Sequence, residues 1–567
     1  MNKIGFHQTS SKVFWRRINR LKSKKEPNSI PDLIHGGKIL KNDQEKANAF
    51  GEKLVDTFNE TPNIGSNYNE VHKEYVDSYV KSKKFIKDYP NKTFSLITLQ
   101  ELEINIKKLN NKKSLDGNNI SNIVLKKLPI EFKKIILDFF NKSITDGITP
   151  FISKQSTITM IPKRGLSSDI KNYRPISKTS CLIKLLEKII QTRLLSYLNE
   201  KNIIIKQQSG FRKNRQTRDN LIFMTQKILE AFGNRKKACC IFFDIKSAFD
   251  KVWHNGLIFK LIKLKIPLYL ISWIENFLTN RTFSVKIDTY ETQKFNITCG
   301  VPQGTILSPL LFSIFINDLP LYKNKNSKYS LLFADDLAYL QIFSKINNAV
   351  ENSLNKQISS LEKWLNNWRL TMAPEKCSYS IFSKNFKAGD SGKKGYDNEN
   401  LQIRLYNQQI ILNNNWFDKY LTFKNQISYI KTTCYNKLNI LKVLVHKSWS
   451  IEVKTLLLLY RSLIGSIIDY SLFIFPILSN TNKRKIQHIQ DSSLRLIFNK
   501  KYDYSSQLLH DEAEFETLEV RSIRMLKLYF SKGEINFNPL CSELIEGFEI
   551  FNHTFKNENI ITLVDFI

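Results

Sequence analysis

The chain has 567 residues (66.4 kDa), of which 42% are apolar and 12% aromatic. This composition is enough for large cores and excludes an intrinsically disordered protein. Its 86 Lys and Arg exceed its 52 Asp and Glu by 34, and the isoelectric point is near 9.6. So large a positive excess indicates a polyanionic partner, with nucleic acid favoured over an anionic membrane surface or simply solvated lysines.

The seven cysteines form no Cys-x-x-Cys pair and have no histidine at ligand spacing, which argues against a zinc site. They are expected to be reduced, mostly core thiols of an intracellular protein. The N-terminus lacks the apolar core of a signal peptide. The stretch from Leu456 to Leu478 is the most apolar, but Arg461 and Asp469 lie inside it, so it is expected to be a buried helical segment and no membrane partner is predicted.

The first 25 residues are rich in Lys and Arg and contain no acid. Trp15, Ile18 and Leu21 recur at helical spacing, which predicts a basic helix with an apolar stripe, either lying on phosphates or serving as a solvated linker. Residues 32 to 90 are predicted to be linker and short helices with little chemistry. A domain boundary is expected near residue 95.

Helical and strand patterns follow from Thr98 onwards. Apolar residues at helical spacing predict helices over Leu99 to Leu109, Ile120 to Asn141 and Leu182 to Leu198. Residues 156 to 163 predict a β-strand that ends at the basic residue Lys163. A second basic turn follows at Arg174.

A basic loop with one aromatic residue spans residues 207 to 220 and contains Gly210, Phe211, Arg212 and Arg215. Such a loop suits a phosphate backbone that passes over it. A plain solvated turn is an equally good interpretation of this stretch in isolation.

Two apolar stretches carry carboxylates. Residues 238 to 243 are apolar or small in a row, which predicts a fully buried strand, and Asp244 follows directly. The apolar run from Leu331 to Leu340 is interrupted by Asp335 and Asp336. Because adjacent side chains of a straight strand point to opposite faces, both acids serve one site only if they lie at the tip of a β-hairpin.

An Asp-Asp pair alone is a weak motif. If the strand end and the hairpin tip converge, however, three carboxylates share one site and repel each other unless cations bind, and hard oxygen ligands suit Mg²⁺. Two such ions about 4 Å apart can activate an attacking hydroxyl and stabilise the leaving oxygen in phosphoryl transfer. This chemistry agrees with the polyanionic partner.

A loop between the acids is bracketed by glycines. Gly300 and Gly304 flank Pro302-Gln303 and allow the backbone to approach a ligand, although a purely structural loop is the alternative. Ser308 before Pro309 predicts a helix start with Ser308 as its N-cap.

The remaining chain is predicted to be mostly helical. A structural helix is expected from Ile346 to Leu365, and residues 385 to 400, with three glycines and many charges, are expected to be a flexible linker. Beyond the linker the pattern is helical and basic.

The ordered motifs are similar to those of the reverse transcriptases of non-LTR retrotransposons, jockey-like and other LINE-type elements. They are Ile161-Pro162-Lys163, Tyr173-Arg174-Pro175-Ile176-Ser177, Gln208-Ser209-Gly210-Phe211-Arg212, Phe243-Asp244 to Phe249-Asp250, Gly300-Val301-Pro302-Gln303-Gly304 and Phe333-Ala334-Asp335-Asp336, with further matches at Asn367 to Leu370, Lys376-Cys377, Leu459 to Ile464 and Ile489-Gln490. Six motifs in this order are far more specific than Asp-Asp alone, and the resemblance covers most of the chain.

The resemblance implies an α+β right-hand polymerase with fingers, a palm built on an antiparallel sheet, and a helical thumb. Residues 1–95 would then be a basic N-terminal extension or linker, 96–384 the fingers and palm, 385–400 a linker, and 401–567 the helical thumb and C-terminal region.

The same resemblance implies roles for individual residues. Asp244 and Asp335 would bind a catalytic pair of Mg²⁺ ions, or of Mn²⁺ as an alternative, with Asp336 completing the cluster. Lys376 matches a downstream lysine proposed to protonate the departing pyrophosphate.

Five further residues are expected at the nucleotide. Lys163 and Arg174 would contact the incoming triphosphate as charge-assisted donors. Phe249 occupies the position whose ring excludes a ribose 2′-hydroxyl and so selects deoxynucleotides. Gln303 and Gly304 would contact the nucleotide and template near the insertion site.

Gly210, Phe211, Arg212 and Arg215 are expected to bind template or primer. The implied partners are an RNA template, a DNA primer or RNA–DNA hybrid, and dNTPs. The implied location is intracellular, in the nucleus during integration or in the cytoplasm.

Two departures from the family pattern matter. Family members usually carry a Tyr-Leu-Gly turn, which positions the primer end, shortly before a segment like Phe417 to Phe423, whereas here Asn413-Asn414-Asn415-Trp416 precedes that segment directly. Full elements also encode an endonuclease upstream, and this chain begins in what resembles the linker after it, so target nicking is not expected of it.

Two hypotheses therefore stand. The first is an RNA-directed DNA polymerase that extends a DNA 3′-hydroxyl on an RNA template by in-line attack on the α-phosphate. The second is a decayed element product that binds nucleic acid without polymerising. The complete set of acidic, basic and aromatic site residues favours the first, and the missing turn favours the second.

Overall fold

Two five-stranded sheets and a large set of helices form the α+β fold of the chain. The computed structural model describes residues 30–59, 68–84, 86, 95–111, 116, 120–163, 167–322, 327–384, 401–413, 417–446, 449–535, 538–554 and 563. The basic helix expected within residues 1–25 and the linker expected at 385–400 lie outside these residues, as does Trp416.

The strands, numbered in chain order, are β1 (Leu33–His35), β2 (Lys38–Leu40), β3 (Gln155–Pro162), β4 (Tyr173–Lys178), β5 (Lys237–Phe243), β6 (Arg281–Ile287), β7 (Tyr290–Glu291), β8 (Phe295–Ile297), β9 (Lys328–Phe333), β10 (Asp336–Phe343), β11 (Ser378–Phe382), β12 (Arg404–Leu405), β13 (Gln408–Gln409) and β14 (Ile411–Leu412).

The helices are α1 (Asp43–Phe58), α2 (Glu70–Ser82), α3 (Leu99–Lys107), α4 (Asn122–Lys127), α5 (Ile130–Asp146), α6 (Cys181–Glu200), α7 (Thr217–Gly233), α8 (His254–Lys263), α9 (Leu268–Leu278), α10 (Ser308–Phe315), α11 (Asn348–Trp368), α12 (Lys424–Val445), α13 (Val453–Tyr460), α14 (Ser466–Tyr470), α15 (Asn480–Ile497), α16 (Ser506–Glu512), α17 (Leu518–Ile535) and α18 (Pro539–Thr554). Shorter 3₁₀ turns lie at Phe151–Ser153, Ile170–Asn172, Pro374–Lys376 and Leu472–Ile477, and a π-helical turn lies at Arg461–Gly465.

The central sheet has the strand order β14-β11-β5-β10-β9, and β5 pairs antiparallel with both β10 and β11. Its central strand β5 is buried on both faces. Cys239 and Ile241 point into a core formed with α6 and α8 to α11, whereas Ala238 and Cys240 point into a second core with α7 and the C-terminal helices. Alternation of side chains across the sheet places apolar residues on both faces. The predicted buried strand is therefore confirmed.

The C-terminal helices share a core with the central sheet. Apolar residues of α12, α13 and α15 pack with Leu331 and Leu340 of the hairpin strands. The apolar stretch from Leu456 to Leu478 belongs to this core and is divided among α13, the π-helical turn, α14 and a 3₁₀ turn. It is buried in protein, as expected. None of the described helices combines the length and the apolarity needed to cross a bilayer.

The second sheet has the order β4-β3-β6-β7, and β8 also pairs with β6. Helix α1 packs on it through Ala47, Phe50, Leu54 and Phe58, whose spacing of three and four places them on one face. The N-cap Asn42 accepts a hydrogen bond from the backbone N–H of Glu45. This region was expected to hold linker and short helices; the helix is present, and it forms part of a third core.

Most predicted elements are present, with local differences at prolines. The helical stretch expected from Ile120 to Asn141 is two helices, α4 and α5, because Pro129 cannot continue the first and starts the second. Helix α10 includes Ser308 as its first residue, and its N-cap is Leu307. The Ser308 hydroxyl instead bonds to the hydroxyl of Thr305 at 2.5 Å, so the expected cap is wrong by one residue.

Candidate active site

The two adjacent acids lie at the tip of the β9–β10 hairpin. Phe333 pairs with Asp336 across a two-residue turn formed by Ala334 and Asp335, with Ala334 at φ 56°. Strand β10 also pairs antiparallel with β5, and Leu337 lies opposite Phe243 at the end of this pairing. Asp336 precedes Leu337 and Asp244 follows Phe243, so the two acids are neighbours. The sequence-predicted convergence of strand end and hairpin tip is confirmed.

The segment before α7 holds the hairpin tip in place. Gln208 is buried, and its Oε1 accepts hydrogen bonds from the backbone N–H of Ala334 (3.0 Å) and of Gly210 (2.7 Å). Ser209 N–H donates to the carbonyl of Leu332 at 2.8 Å. A Cβ atom on Gly210 would lie 2.2 Å from Ala334 N, so only glycine allows this approach.

The carboxylates at the tip influence one another. Burial raises the pKa of Asp335, and the charge of Asp244 raises it further, while Arg174 opposes the shift. Burial, then Asp335 and Asp244, raise the pKa of Asp336. The three acids are thus close enough to repel, which is the condition a cation relieves.

Lys376 already lies at this cluster. Its Nζ is 3.1 Å from Asp244 Oδ2. The backbone of Asp244 is held by the same segment, because its carbonyl accepts from the N–H of Ala373 at 3.0 Å and Ile245 bridges to Met372. Among the described residues no three Asp, Glu, His or Cys side chains are already arranged around one metal position. The potential donors are nevertheless carboxylate oxygens, which are hard ligands that suit Mg²⁺.

The predicted basic residues lie on the second sheet. Arg174 in β4 pairs with Ile161 of β3, and its charge reaches Asp335. Lys163 directly follows β3, and its Nζ donates to the carbonyl of Lys171 at 3.0 Å. Both side chains are exposed. Arg174 is therefore brought to the acids, and Lys163 lies on the turn beside it.

Phe249 is fixed by two aromatic neighbours. Its ring stacks on Phe312 of α10, with centroids 4.5 Å apart, and meets the edge of Phe211 at 6.0 Å. Phe211 is itself half exposed and has φ 57°. The basic loop thus contributes Phe211, whose ring lies next to Phe249 in the segment that follows Asp244.

The glycine-bracketed loop is bonded to strand β4 of the second sheet and to the segment that follows β5. Gln303 Nε2 donates to both carboxylate oxygens of Asp250, at 2.8 and 3.0 Å, and the Gln303 carbonyl accepts from Ser177 N–H of β4. Gly304 has φ 108°, and a Cβ there would lie 2.8 Å from the Ser177 carbonyl oxygen. Asp250 is buried, and burial raises its pKa to about 6 against the opposing effect of Gln303.

Sequence reasoning missed the support of this loop by Glu187. This α6 residue is fully buried, and its Oε2 accepts from the N–H groups of Ile306 (2.7 Å) and Leu307 (3.3 Å) at the start of α10. Burial raises its pKa to about 7, although these two N–H groups oppose the shift. The sequence offered one sign of this role, because Glu187 lies directly beside the apolar stripe of the helix predicted from Leu182 to Leu198.

The structure does not bring all the basic-loop residues to the acids. Arg212 is half-buried, and its guanidinium donates to the carbonyl oxygens of Ile205 and Gln208. Arg215 donates to Asn538 at 2.6 Å, on the C-terminal helices, and burial lowers its pKa to about 10. Gly210 and Phe211 lie at the site, whereas Arg215 faces away towards the second core.

Comparison with known proteins assigns a class to this arrangement. Residues 161–428 match the family model of reverse transcriptase, RNA-dependent DNA polymerase. These residues include every acid, basic residue and glycine placed above at the hairpin tip. This part of the chain is therefore similar to a reverse transcriptase domain.

The similarity extends beyond that domain. Over 538 residues, or 94% of this chain, it is 29% identical to the probable RNA-directed DNA polymerase from transposon BS of Drosophila melanogaster. Over 554 residues, or 96%, it is 27% identical to the RNA-directed DNA polymerase from mobile element jockey of the same organism. The probable RNA-directed DNA polymerase from transposon X-element is 26% identical over 78% of this chain and 48% of its own length.

The resemblance to polymerases of jockey-like non-LTR elements is thus confirmed. The chain spans 58% of the length of the BS and jockey proteins.

Proposed function

We propose that this chain is an RNA-directed DNA polymerase of a non-LTR retrotransposon, which extends a DNA 3′-hydroxyl on an RNA template. The observation that carries the proposal is the meeting of Asp244, Asp335 and Asp336 at one hairpin tip, inside the part of the chain that is similar to a reverse transcriptase domain. Mutual repulsion among these carboxylates provides a reason for them to hold cations and perform nucleotidyl transfer.

The proposed architecture is a right hand. The central sheet with α6 and α8 to α11 serves as the palm, and the second sheet as the fingers. Helix α1 belongs to the fingers in this proposal, because it packs on β6. The helices from α12 onwards serve as the thumb, and they rest on the palm through the second core.

The three aspartates are the proposed ligands of two Mg²⁺ ions, with Mn²⁺ as a substitute. When bound, such ions lower the pKa of the attacking hydroxyl and stabilise negative charge on the leaving oxygen. The protein contributes the fixed hairpin tip, since Gln208 holds Ala334 and the Ala373 N–H holds the backbone of Asp244. Pre-set ligands of this kind need little rearrangement during the reaction.

The nucleotide is proposed to bind between the two sheets. Arg174 and Lys163 donate hydrogen bonds to its phosphates, which is supported by the reach of the Arg174 charge to Asp335. The Phe249 ring, held by Phe312 and Phe211, fills the space that a ribose 2′-hydroxyl needs. Gln303, oriented by Asp250, contacts the base pair that forms.

The template and primer are proposed to cross the basic loop at Phe211, which is half exposed, beside Gly210 and Arg212. Lys376, at 3.1 Å from Asp244, is the proposed proton donor to the leaving pyrophosphate. The excess of 34 positive charges over the chain gives the salt-dependent attraction that nucleic acid binding requires.

Primer extension tests the proposal. The purified chain, an RNA template annealed to a DNA primer, dNTPs and Mg²⁺ should give labelled products, and Asp335→Ala should abolish them. Asp138→Ala, an exposed acid on α5, is the matched control and should extend normally. Both variants should bind RNA with the same salt dependence.

One result would overturn the proposal. If the chain bound RNA in a salt-sensitive manner but neither it nor Asp138→Ala extended a primer with Mg²⁺ or Mn²⁺, the decayed binding protein would be the correct assignment. Extension that survives Asp335→Ala would show that these acids are not the metal site.

A further inference from the structure

A lysine of helix α1 contacts the same short turn as Lys163. Lys53 Nζ donates to the carbonyl oxygen of Ile170 at 2.6 Å, and Lys163 Nζ donates to that of Lys171 at 3.0 Å. Ile170 and Lys171 are consecutive residues of one 3₁₀ turn, Ile170–Asn172. Two ammonium groups from distant parts of the chain are therefore fixed on neighbouring carbonyls.

The positive charge at this turn is not balanced. Among the described residues neither Lys53 nor Lys163 forms an ion pair with a carboxylate. The nearby acid, Asp169, uses its side chain to accept the N–H of Lys171 at 2.8 Å. Burial, followed by the charge of Lys163, lowers the pKa of Lys53 to about 8, while Asp169 opposes the shift. An anion at the turn would relieve this repulsion.

The turn adjoins the proposed nucleotide site. The backbone N–H of Lys163 donates to the carbonyl of Asn172 at 2.8 Å, which fixes it next to Arg174 in the following strand. The Lys163 charge also reaches Asp250, whose carboxylate orients Gln303. Lys53 thus contacts the same turn as Lys163, and Arg174 lies in the strand that follows this turn.

We propose that Lys53 is a further phosphate-binding residue of this site, which acts with Lys163 on the terminal phosphates of the incoming nucleoside triphosphate. The proposal rests on the polymerase function proposed above. A template phosphodiester has the same oxygen chemistry but a single charge. Several ammonium groups gathered at one turn match the multiple charges of a triphosphate tail better than the single charge of a phosphodiester, because each ammonium acts as a point charge.

The kinetic test uses two substitutions that separate charge from packing. Lys53→Met keeps an unbranched apolar side chain at this position of α1 but removes the charge, and Lys53→Arg keeps the charge. We expect Lys53→Met to raise the KM for dNTPs about tenfold, with kcat and primer–template affinity little changed. Lys53→Arg should have a KM for dNTPs close to that of the wild type. Lys81→Ala, an exposed lysine of α2, is the matched control and should behave as wild type.

A chemical test needs no polymerase activity. Lys53 should react readily with an amine-directed acylating reagent near pH 8, because its lowered pKa leaves much of it neutral. Inorganic tripolyphosphate should protect it at concentrations that leave Lys81 reactive, as read by peptide mass spectrometry. If no primer is extended but Lys53 is protected, the phosphate site stands and only the polymerase assignment falls.

Two outcomes would overturn the proposal. An unchanged KM for dNTPs in Lys53→Met, together with equal labelling with and without tripolyphosphate, would show that Lys53 binds no phosphate. A weaker primer–template affinity and a salt slope reduced by about one, at constant KM, would assign Lys53 to the template backbone instead.

Discussion

The ammonium group of Lys376 donates a hydrogen bond to the carboxylate of Asp244, with Nζ 3.1 Å from Oδ2. This cation of the protein therefore lies on an oxygen that the proposed metal ions require. The Lys376 side chain is 60% exposed and that of Asp244 is 36% exposed. An ion pair with this exposure contributes only about 0.2–1 kcal/mol. A divalent ion can therefore displace the ammonium, which then remains free at the edge of the site.

Lys376→Ala should lower the Mg²⁺ concentration at half-maximal extension, by up to about fivefold for a pair of this strength. The maximal rate should fall as well if Lys376 protonates pyrophosphate. Initial rates over a Mg²⁺ titration measure both quantities, with the exposed Lys345→Ala as a control. An unchanged half-saturation would mean that the ion pair does not compete with the metal.

Gly210→Ala should strongly reduce the rate of extension while the chain stays folded. The added Cβ would lie 2.2 Å from Ala334 N and must displace the tip that carries Asp335. A tip moved by an ångström should reduce kcat about a hundredfold. Gly465→Ala adds a Cβ that only reaches ordinary contacts at 3.6 Å and should retain activity. Extension by Gly210→Ala at the wild-type rate would show that the tip tolerates movement.

Phe249→Ala should relax the rejection of rNTPs, because it removes the ring that is proposed to fill the space of the 2′-hydroxyl. Phe211→Ala should relax it less, since the stack of Phe249 on Phe312 at 4.5 Å remains. The measurement is the ratio of kcat/KM for a dNTP and its matching rNTP in each variant. Unchanged sugar selectivity in Phe249→Ala would refute the assignment.

Glu187→Gln should change the pH dependence of stability. The pKa of Glu187 is raised from 4.5 to about 7 by burial, so between these pH values the folded chain holds more protons than the unfolded chain. The free energy of unfolding of the wild type should therefore fall, relative to Glu187→Gln, as the pH rises from 4.5 to 7.

Urea unfolding of both proteins across that range gives the difference directly, because the other titrating groups are common to the two. The quantity to follow is the free energy of unfolding of the wild type minus that of Glu187→Gln. If this value stays constant or increases as the pH rises, Glu187 is not protonated in the folded chain.

Local patterns in the sequence were sufficient for much of the site. The apolar run ending at Asp244 and the interrupted run at Asp335 and Asp336 predicted a buried strand and a hairpin tip, and both are present. Such predictions succeed because the alternation of side chains in a strand is a property of neighbouring residues. The motif order added the reverse transcriptase resemblance, which the family match confirms.

The sequence by itself determined the buried strand, the hairpin tip and several of the helices, and it placed the three acids where the strand and the hairpin end. Tertiary structure alone decided their support: Gln208 holds Ala334 across 126 positions, and Glu187 holds Ile306 across 119. It also decided that α1, in a region expected to hold linker and short helices, packs on the second sheet, and that Arg215 faces away from the acids. Contacts between residues so far apart depend on how the cores pack, and no periodicity along the chain records that packing.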